Sequence, residues 1–208
     1  MLINFDFDGV IADTFHHLLD LCIAAQAEIG SGRPPVAEDL RTVENLTFRG
    51  LAERLGIAPD RIPLYEEAAF TRQREAARDV RFFYGMKGLL LNLNHGSDIA
   101  IITSGDTQVV RGYLREHGVD GVVATVTGGE SRRSKAASIC RNMERFGATP
   151  DSTWMVGDAV SDIRQGKEAG VGTIAVSWGF QARSLLEKES PDHLADSPEE
   201  LLHILQSL

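Results

Sequence analysis

The sequence predicts an α/β protein: a mostly parallel sheet sandwiched by helices, with an all-helical block inserted after the first strand. Three observations predict it. Short apolar runs rich in strand formers recur at 1–7, 98–103, 121–126, 153–156 and 172–176. Between the later runs lie patterns of helical period at 86–95, 106–117, 134–146 and 160–169, and strands alternating with helices of this length build parallel sheets through right-handed crossovers. From 15 to 83 the alternation stops, and helical periodicity continues with no convincing strand.

Taken in order, the first run ends in Phe5-Asp6-Phe7-Asp8-Gly9-Val10, where Gly9 breaks the strand and leaves Asp6 and Asp8 at its junction with a loop. Within the insert, 16–29 and 60–78 read as long helices and 38–43 and 47–55 as shorter ones. Gly30-Ser31-Gly32-Arg33-Pro34-Pro35 divides them. A block at this point in the chain lies above the strand ends, either covering a site there or padding the core. The chain leaves and re-enters the sheet near Asp13-Thr14 and Tyr84-Gly85, which read as hinges. The final helix, 198–206, reads as a packed amphipath capped by Ser197.

Open parallel sheets bind ligands at the carboxyl ends of their strands. Asp6 and Asp8 stand at one such end, where one carboxylate can attack or hold a metal while the other moves protons or offers its carbonyl. An acidic turn is the plainer reading. A second strand ends in Thr103-Ser104-Gly105, whose hydroxyls and amides can hold a phosphate oxygen or cap the next helix, for which Asp106 competes. Lys135 opens a helix and can neutralise a phosphoryl group or orient a carboxylate; alone it reads as a surface lysine. The run Met155-Val156-Gly157-Asp158-Ala159-Val160-Ser161-Asp162 places two carboxylates where they can converge on one hard cation such as Mg²⁺. A helix cap explains either aspartate alone, but not both together with the first strand.

Composition bounds the partners. The 208 residues, 43% hydrophobic and 25% charged, suit one domain, or one domain carrying an insert. A net charge of −9 argues against nucleic acid and anionic membranes as partners and leaves small anions open once a divalent ion is present. No segment approaches membrane-spanning length, and the N-terminus lacks a basic region before an apolar stretch, so a cytoplasmic location is expected. Cys22 and Cys140 read as reduced core thiols.

Together the four strand-end motifs resemble the haloacid dehalogenase superfamily of aspartate-dependent phosphatases over nearly the whole chain. In that resemblance Asp6 is the nucleophile, Asp8 the general acid and base, Thr103 and Lys135 the second and third motifs, and Asp158 with Asp162 the fourth. The tail from Ala169 to Gly179 and the stretch Pro191-Asp192-His193-Leu194 look like the phosphoglycolate-phosphatase-like branch. The resemblance implies a Rossmann-like core over 1–14 and 84–208 and a small helical cap domain over 15–83. It further implies hydrolysis of a small phosphate monoester through a phospho-aspartyl intermediate. Mg²⁺ is expected on the Asp6 side chain, the Asp8 carbonyl and Asp158, with Asp162 binding directly or through water. Thr103 and Lys135, with Ser104 and Gly105, are expected at the phosphoryl oxygens.

Asp8 separates the chain from the family's dehalogenases, whose halide leaving group needs no proton. A phosphosugar mutase uses the same aspartates and stays open, as does a receiver-like or degenerate binding module. Arg49 could hold a substrate carboxylate, which favours an acid such as phosphoglycolate, or could form a surface salt bridge. Partners are expected to be limited to a small phosphorylated metabolite, in a monomer or homodimer.

Overall fold

The computed structural model describes residues 1–44, 46–75 and 80–208. In chain order the elements are β1 (Leu2–Phe5), β2 (Ala12–Asp13), α1 (Phe15–Ile29), α2 (Ala37–Thr42), α3 (Phe48–Arg54), α4 (Ile62–Glu75), β3 (Arg81–Phe82), α5 (Met86–Leu93) and β4 (Asp98–Ile102). There follow α6 (Thr107–Glu116), β5 (Thr125–Thr127), α7 (Lys135–Phe146), β6 (Thr153–Gly157), α8 (Val160–Glu168), β7 (Gly172–Val176), α9 (Arg183–Lys188), β8 (His193–Ala195) and α10 (Pro198–Ser207). Six strands form one parallel sheet in the order β5-β4-β1-β6-β7-β8. The chain departs from β1 first to one side and later to the other, so β1 and β6 flank the crevice where such sheets take ligands.

All four residues of β1 are buried, as a strand covered on both faces requires. Ile3 and Phe5 join Ile99, Ile101, Val156 and Ile174 in a core closed by α5, α6 and α10. Each such side chain contributes about 1.5–3 kcal/mol by leaving water. The opposite face is closed by Ile139 of α7 over Ile102 and Met155, and by Ile163 of α8 with Leu186 of α9 beside Ala175. That face also buries an amide pair, in which Asn142 Nδ2 donates to Asn4 Oδ1 at 2.8 Å and Asn4 Nδ2 donates to the Trp154 carbonyl at 3.3 Å. Pairing satisfies groups that would otherwise be costly to bury.

Helices α1, α3 and α4 enclose a separate core around Leu21, Cys22, Leu51, Ile62 and the fully buried Tyr65. Asp39 of α2 ties the Gly- and Pro-rich break to this unit, accepting from Arg33 and from Arg54 Nε at 2.9 Å. Hydrogen bonds from Arg33 hold its carboxyl well below the usual range.

Several expectations need correction. The first strand stops at Phe5, although the Asp6 amide still donates to the Val156 carbonyl at 2.9 Å and keeps Asp6 at the tip of the ladder. The strand expected at 121–126 begins with a 3₁₀ turn at Asp120–Val122, and β5 covers only Thr125–Thr127. Within the insert range, β3 pairs antiparallel with β2, Ala12 opposite Phe82 and Asp13 opposite Arg81, so a short ribbon joins the two expected hinges. The stretch 191–194 supplies a sixth strand, β8, anchored where Asp192 accepts from the amide and hydroxyl of Thr173. Helix α9 was not expected. The helix expected at 60–78 begins at Ile62, and residues 76–78 lie outside the described residues. Cys22 is buried, but Cys140 is exposed, because it lies on the outer side of α7 next to the inward-facing Ile139. Ser197 caps α10 as expected, accepting from the Glu200 amide at 3.2 Å. No described helix is long and apolar enough to cross a membrane.

Candidate active site

The tips of β1 and β6 bring three carboxylates together. Oxygens of Asp6, Asp158 and Asp162 lie within 4.8 Å of one another, and all three residues are buried. Asp6 stands just past β1, with Oδ1 accepting from the Phe7 amide at 2.7 Å and Oδ2 held by Lys135 Nζ at 2.8 Å. Lys135, the first residue of α7, also contacts Asp162 Oδ1 at 2.6 Å. Asp162, in the first turn of α8, accepts from the Ala159 amide through Oδ2 at 3.1 Å. Asp158 follows β6 directly, and its Oδ2 accepts from the Phe180 amide at 2.6 Å. Its Oδ1 is buried with no hydrogen-bond partner among the described residues.

The electrostatics follow from this crowding. Burial raises Asp6 to about 7, with the charges of Asp162 and Asp8 adding to the rise and Lys135 opposing it. Burial and the charges of Asp6 and Asp162 push Asp158 well above the ordinary carboxylate range. Burial pulls Lys135 down, but the carboxylates of Asp162 and Asp6 outweigh it and hold the ammonium charged. Three acidic side chains share one ammonium here, and one of them, Asp158, carries a buried oxygen without a partner among the described residues. All-oxygen donors of this kind fit a hard divalent cation.

Asp8 stands apart from that cluster, half-buried, with its Oδ2 accepting from the Thr103 hydroxyl at 3.2 Å. Burial raises its carboxyl, and the hydrogen bond from Thr103 works against the rise. Thr103 in turn accepts from the Gly105 amide at 2.9 Å. Asp106 takes the cap of α6, accepting from the amides of Gln108 and Val109, so the Thr103 hydroxyl is left to the site. Ser104 and Gly105 border the same space as Asp6 and Asp8.

Glycines make this crowding sterically possible. Gly9 has φ +79°, and a Cβ there would lie 2.1 Å from Asp158 Oδ2; one at Gly179 would lie 2.3 Å from the same oxygen. Gly9→Ala should therefore displace Asp158 and cut any turnover at this site on the order of 100-fold with the fold retained. Steady-state rates beside far-UV circular dichroism check it, and a wild-type rate would show that the Asp158 position is not critical.

The helical insert reaches over the site. From α4, Gln73 Oε1 accepts from the Asp106 amide at 3.1 Å, and Arg74 pairs with Asp106 at 2.8 Å. On the other flank, Gln181 accepts from the Val160 amide at 2.8 Å and donates to the Val43 carbonyl at 3.0 Å. Gln165 accepts from the Lys135 amide at 2.5 Å, fixing the start of α7. None of these glutamines stood out in the sequence, because isolated amides belong to no recognisable spacing. Only their placement between elements reveals them. Arg49 adopts the salt-bridge arrangement, with its guanidinium 2.6 Å from Glu66.

A family model for haloacid dehalogenase-like hydrolases matches residues 3–176. Over 208 residues the chain is 26% identical to a phosphoglycolate phosphatase from Synechococcus elongatus, covering 99% of this chain and 97% of that one. A pyrophosphatase from Bacillus mycoides is 34% identical over 116 residues, 54% of each chain. Among solved structures, a haloacid dehalogenase-like family hydrolase from Streptococcus pneumoniae superposes with a TM-score of 0.86 at 21% identity, covering 99% of this chain and 98% of that one.

Proposed function

Since this chain belongs to the haloacid dehalogenase-like hydrolases and is a phosphatase among them, we propose that it hydrolyses a small phosphate monoester through a phospho-aspartyl intermediate on Asp6, with Mg²⁺ in the acidic cluster. The observation that carries this reading is the placement of Asp6 at the tip of the central strand, in contact with Lys135 and within a cation's reach of Asp158 and Asp162. We assign 1–14 and 84–208 to the catalytic core and 15–83 to a cap domain, whose separate hydrophobic core supports the division. A cytoplasmic monomer or homodimer acting on a small metabolite is the setting we propose.

Asp6, Asp158, Asp162 and the Asp8 carbonyl are the groups that would hold the metal, and the partnerless Asp158 oxygen supports that fit. When bound, Mg²⁺ would supply the positive charge that lets two anions approach. Asp6 attacks phosphorus, and the bond to the leaving oxygen breaks with its electron pair. Asp8, hydrogen-bonded to Thr103, gives that oxygen a proton and later takes one from the water that attacks the acyl-phosphate and frees Asp6. Lys135 orients Asp6 and offsets charge on the phosphoryl oxygens. Ser104 and Gly105 border the place where those oxygens would lie.

Hydrolysis of p-nitrophenyl phosphate with Mg²⁺ and with chelator tests the reading, and turnover is expected only with the metal. A metal-independent rate would overturn it. The names of the relatives make phosphoglycolate and pyrophosphate the first further compounds to try.

A pH dependence follows. In metal-free protein Asp6 keeps a proton up to about 7 that the unfolded chain has released above its ordinary value of 3.8. Metal-free stability should therefore fall as pH rises through that window. Cation binding needs the carboxylate, so stabilisation by Mg²⁺ should grow over the same window, reaching about 2.7 kcal/mol at a hundredfold excess over Kd. Thermal melts across the window, with chelator and with Mg²⁺, check both slopes. A Mg²⁺ shift independent of pH would contradict the coupling.

A further inference from the structure

Resting on the assignment of Asp6 as nucleophile and Asp8 as acid, we propose that the alcohol released by this enzyme is small, uncharged and apolar, and that carboxylate-bearing esters such as phosphoglycolate are poor substrates. Two spaces open from the site. Lys135 and Thr103 line a wide cleft edged by Arg49, Arg132, Arg133 and Arg164, and Asp8 does not border it. Asp8 instead borders, together with Asp6, Ser104 and Gly105, a narrow pocket that adjoins the cleft along Leu46, Thr47, Phe48 and Ser104. A leaving oxygen must come within hydrogen-bond reach of the acid that protonates it. The organic part of the substrate therefore enters the narrow pocket, while the phosphoryl oxygens face the cleft.

The insert walls that pocket with Leu18, Cys22, Leu40, Leu46, Phe48 and Leu51. Its neutral polar side chains are Thr47, Gln73 and Ser104; Thr47 and Gln73 accept from the Gly50 and Asp106 amides, and what the three can still offer is uncharged O–H and N–H donors. Among the described residues no lysine, arginine or histidine lines it. Arg49, the residue suited by type to a carboxylate, faces the other space and is already bound to Glu66. A carboxylate placed here would lose its water, meet no cation among the described residues and stand beside Asp6 and Asp8.

The test compares isobutyl phosphate with phosphoglycolate on the Mg²⁺-loaded full chain. The two leaving groups share a branched shape and differ in charge. We expect kcat/KM for isobutyl phosphate to exceed that for phosphoglycolate by about tenfold or more. Leu18→Lys, at a half-buried position on the pocket wall, should shift the ratio toward phosphoglycolate by about tenfold. Equal or better hydrolysis of phosphoglycolate by wild type, failure to cleave isobutyl phosphate, or an unchanged ratio in the variant overturns the inference while p-nitrophenyl phosphate is still hydrolysed. Loss of that last activity as well would overturn the phosphatase reading beneath it.

Discussion

Asp6→Asn should fold as wild type does and lose on the order of 10³-fold or more of its Mg²⁺-dependent turnover, because an amide cannot act as the nucleophile. The reason to expect intact folding is local. Oδ1 of the new side chain can still accept from the Phe7 amide, which wild-type Asp6 holds at 2.7 Å. Removing a charge that burial already disfavours relieves its repulsion from Asp162 and Asp8 but also ends the 2.8 Å ion pair with Lys135, which keeps its contact with Asp162 at 2.6 Å. In metal-free buffer above about pH 7 these effects oppose one another, and the variant should melt close to the wild-type temperature. Paired calorimetry and rate measurements separate the two effects. A variant that folds and turns over at the wild-type rate would remove Asp6 from the chemistry.

Lys135→Met should show the opposite pattern, losing stability as well as rate. Its ammonium touches Asp6 at 2.8 Å and Asp162 at 2.6 Å, and its side chain is only 12% exposed. Methionine keeps most of the chain's bulk and removes the one cation that, among the described residues, contacts these buried acids. A broken buried pair costs about 3–5 kcal/mol, and the loss should shrink at low pH, where Asp6 takes up a proton. Mg²⁺ should restore part of it. Turnover should fall about 100-fold or more, since the charge aimed at the phosphoryl oxygens is gone. Lys135→Arg tests the geometry separately: it should recover stability better than rate, because a planar fork does not reproduce a point charge at both carboxylates. Denaturant titrations with chelator check the first claim, and an unchanged midpoint above neutrality would contradict it.

The parts legible in the sequence are those with a repeating physical signature. The central strand and its acidic end were readable because a short apolar run is broken by Gly9, which the structure places at φ +79° against Asp158. The helices α7 and α8 were readable from their period, and their first turns carry Lys135 and Asp162. Strands of two or three residues, such as β2, β3 and β8, are too short to display a period of two. Their pairing is decided by what lies beside them in space. The same holds for Gln73, Gln165 and Gln181, whose roles come from bridging elements far apart in the chain. Asp8 was legible as a residue, but its bond to Thr103 and its exclusion from the wide cleft were not. The proposed route of the leaving group rests on those two observations.

The central claim is that phosphorus passes through a covalent bond to Asp6. Rapid acid quench of the enzyme during turnover of a phosphorus-labelled ester with Mg²⁺, followed by peptide mass spectrometry, tests it most directly. The account predicts an acid-trapped phosphoryl group on the peptide containing Asp6, absent from Asp6→Asn. Label on another residue, or active enzyme that never carries label, would contradict it.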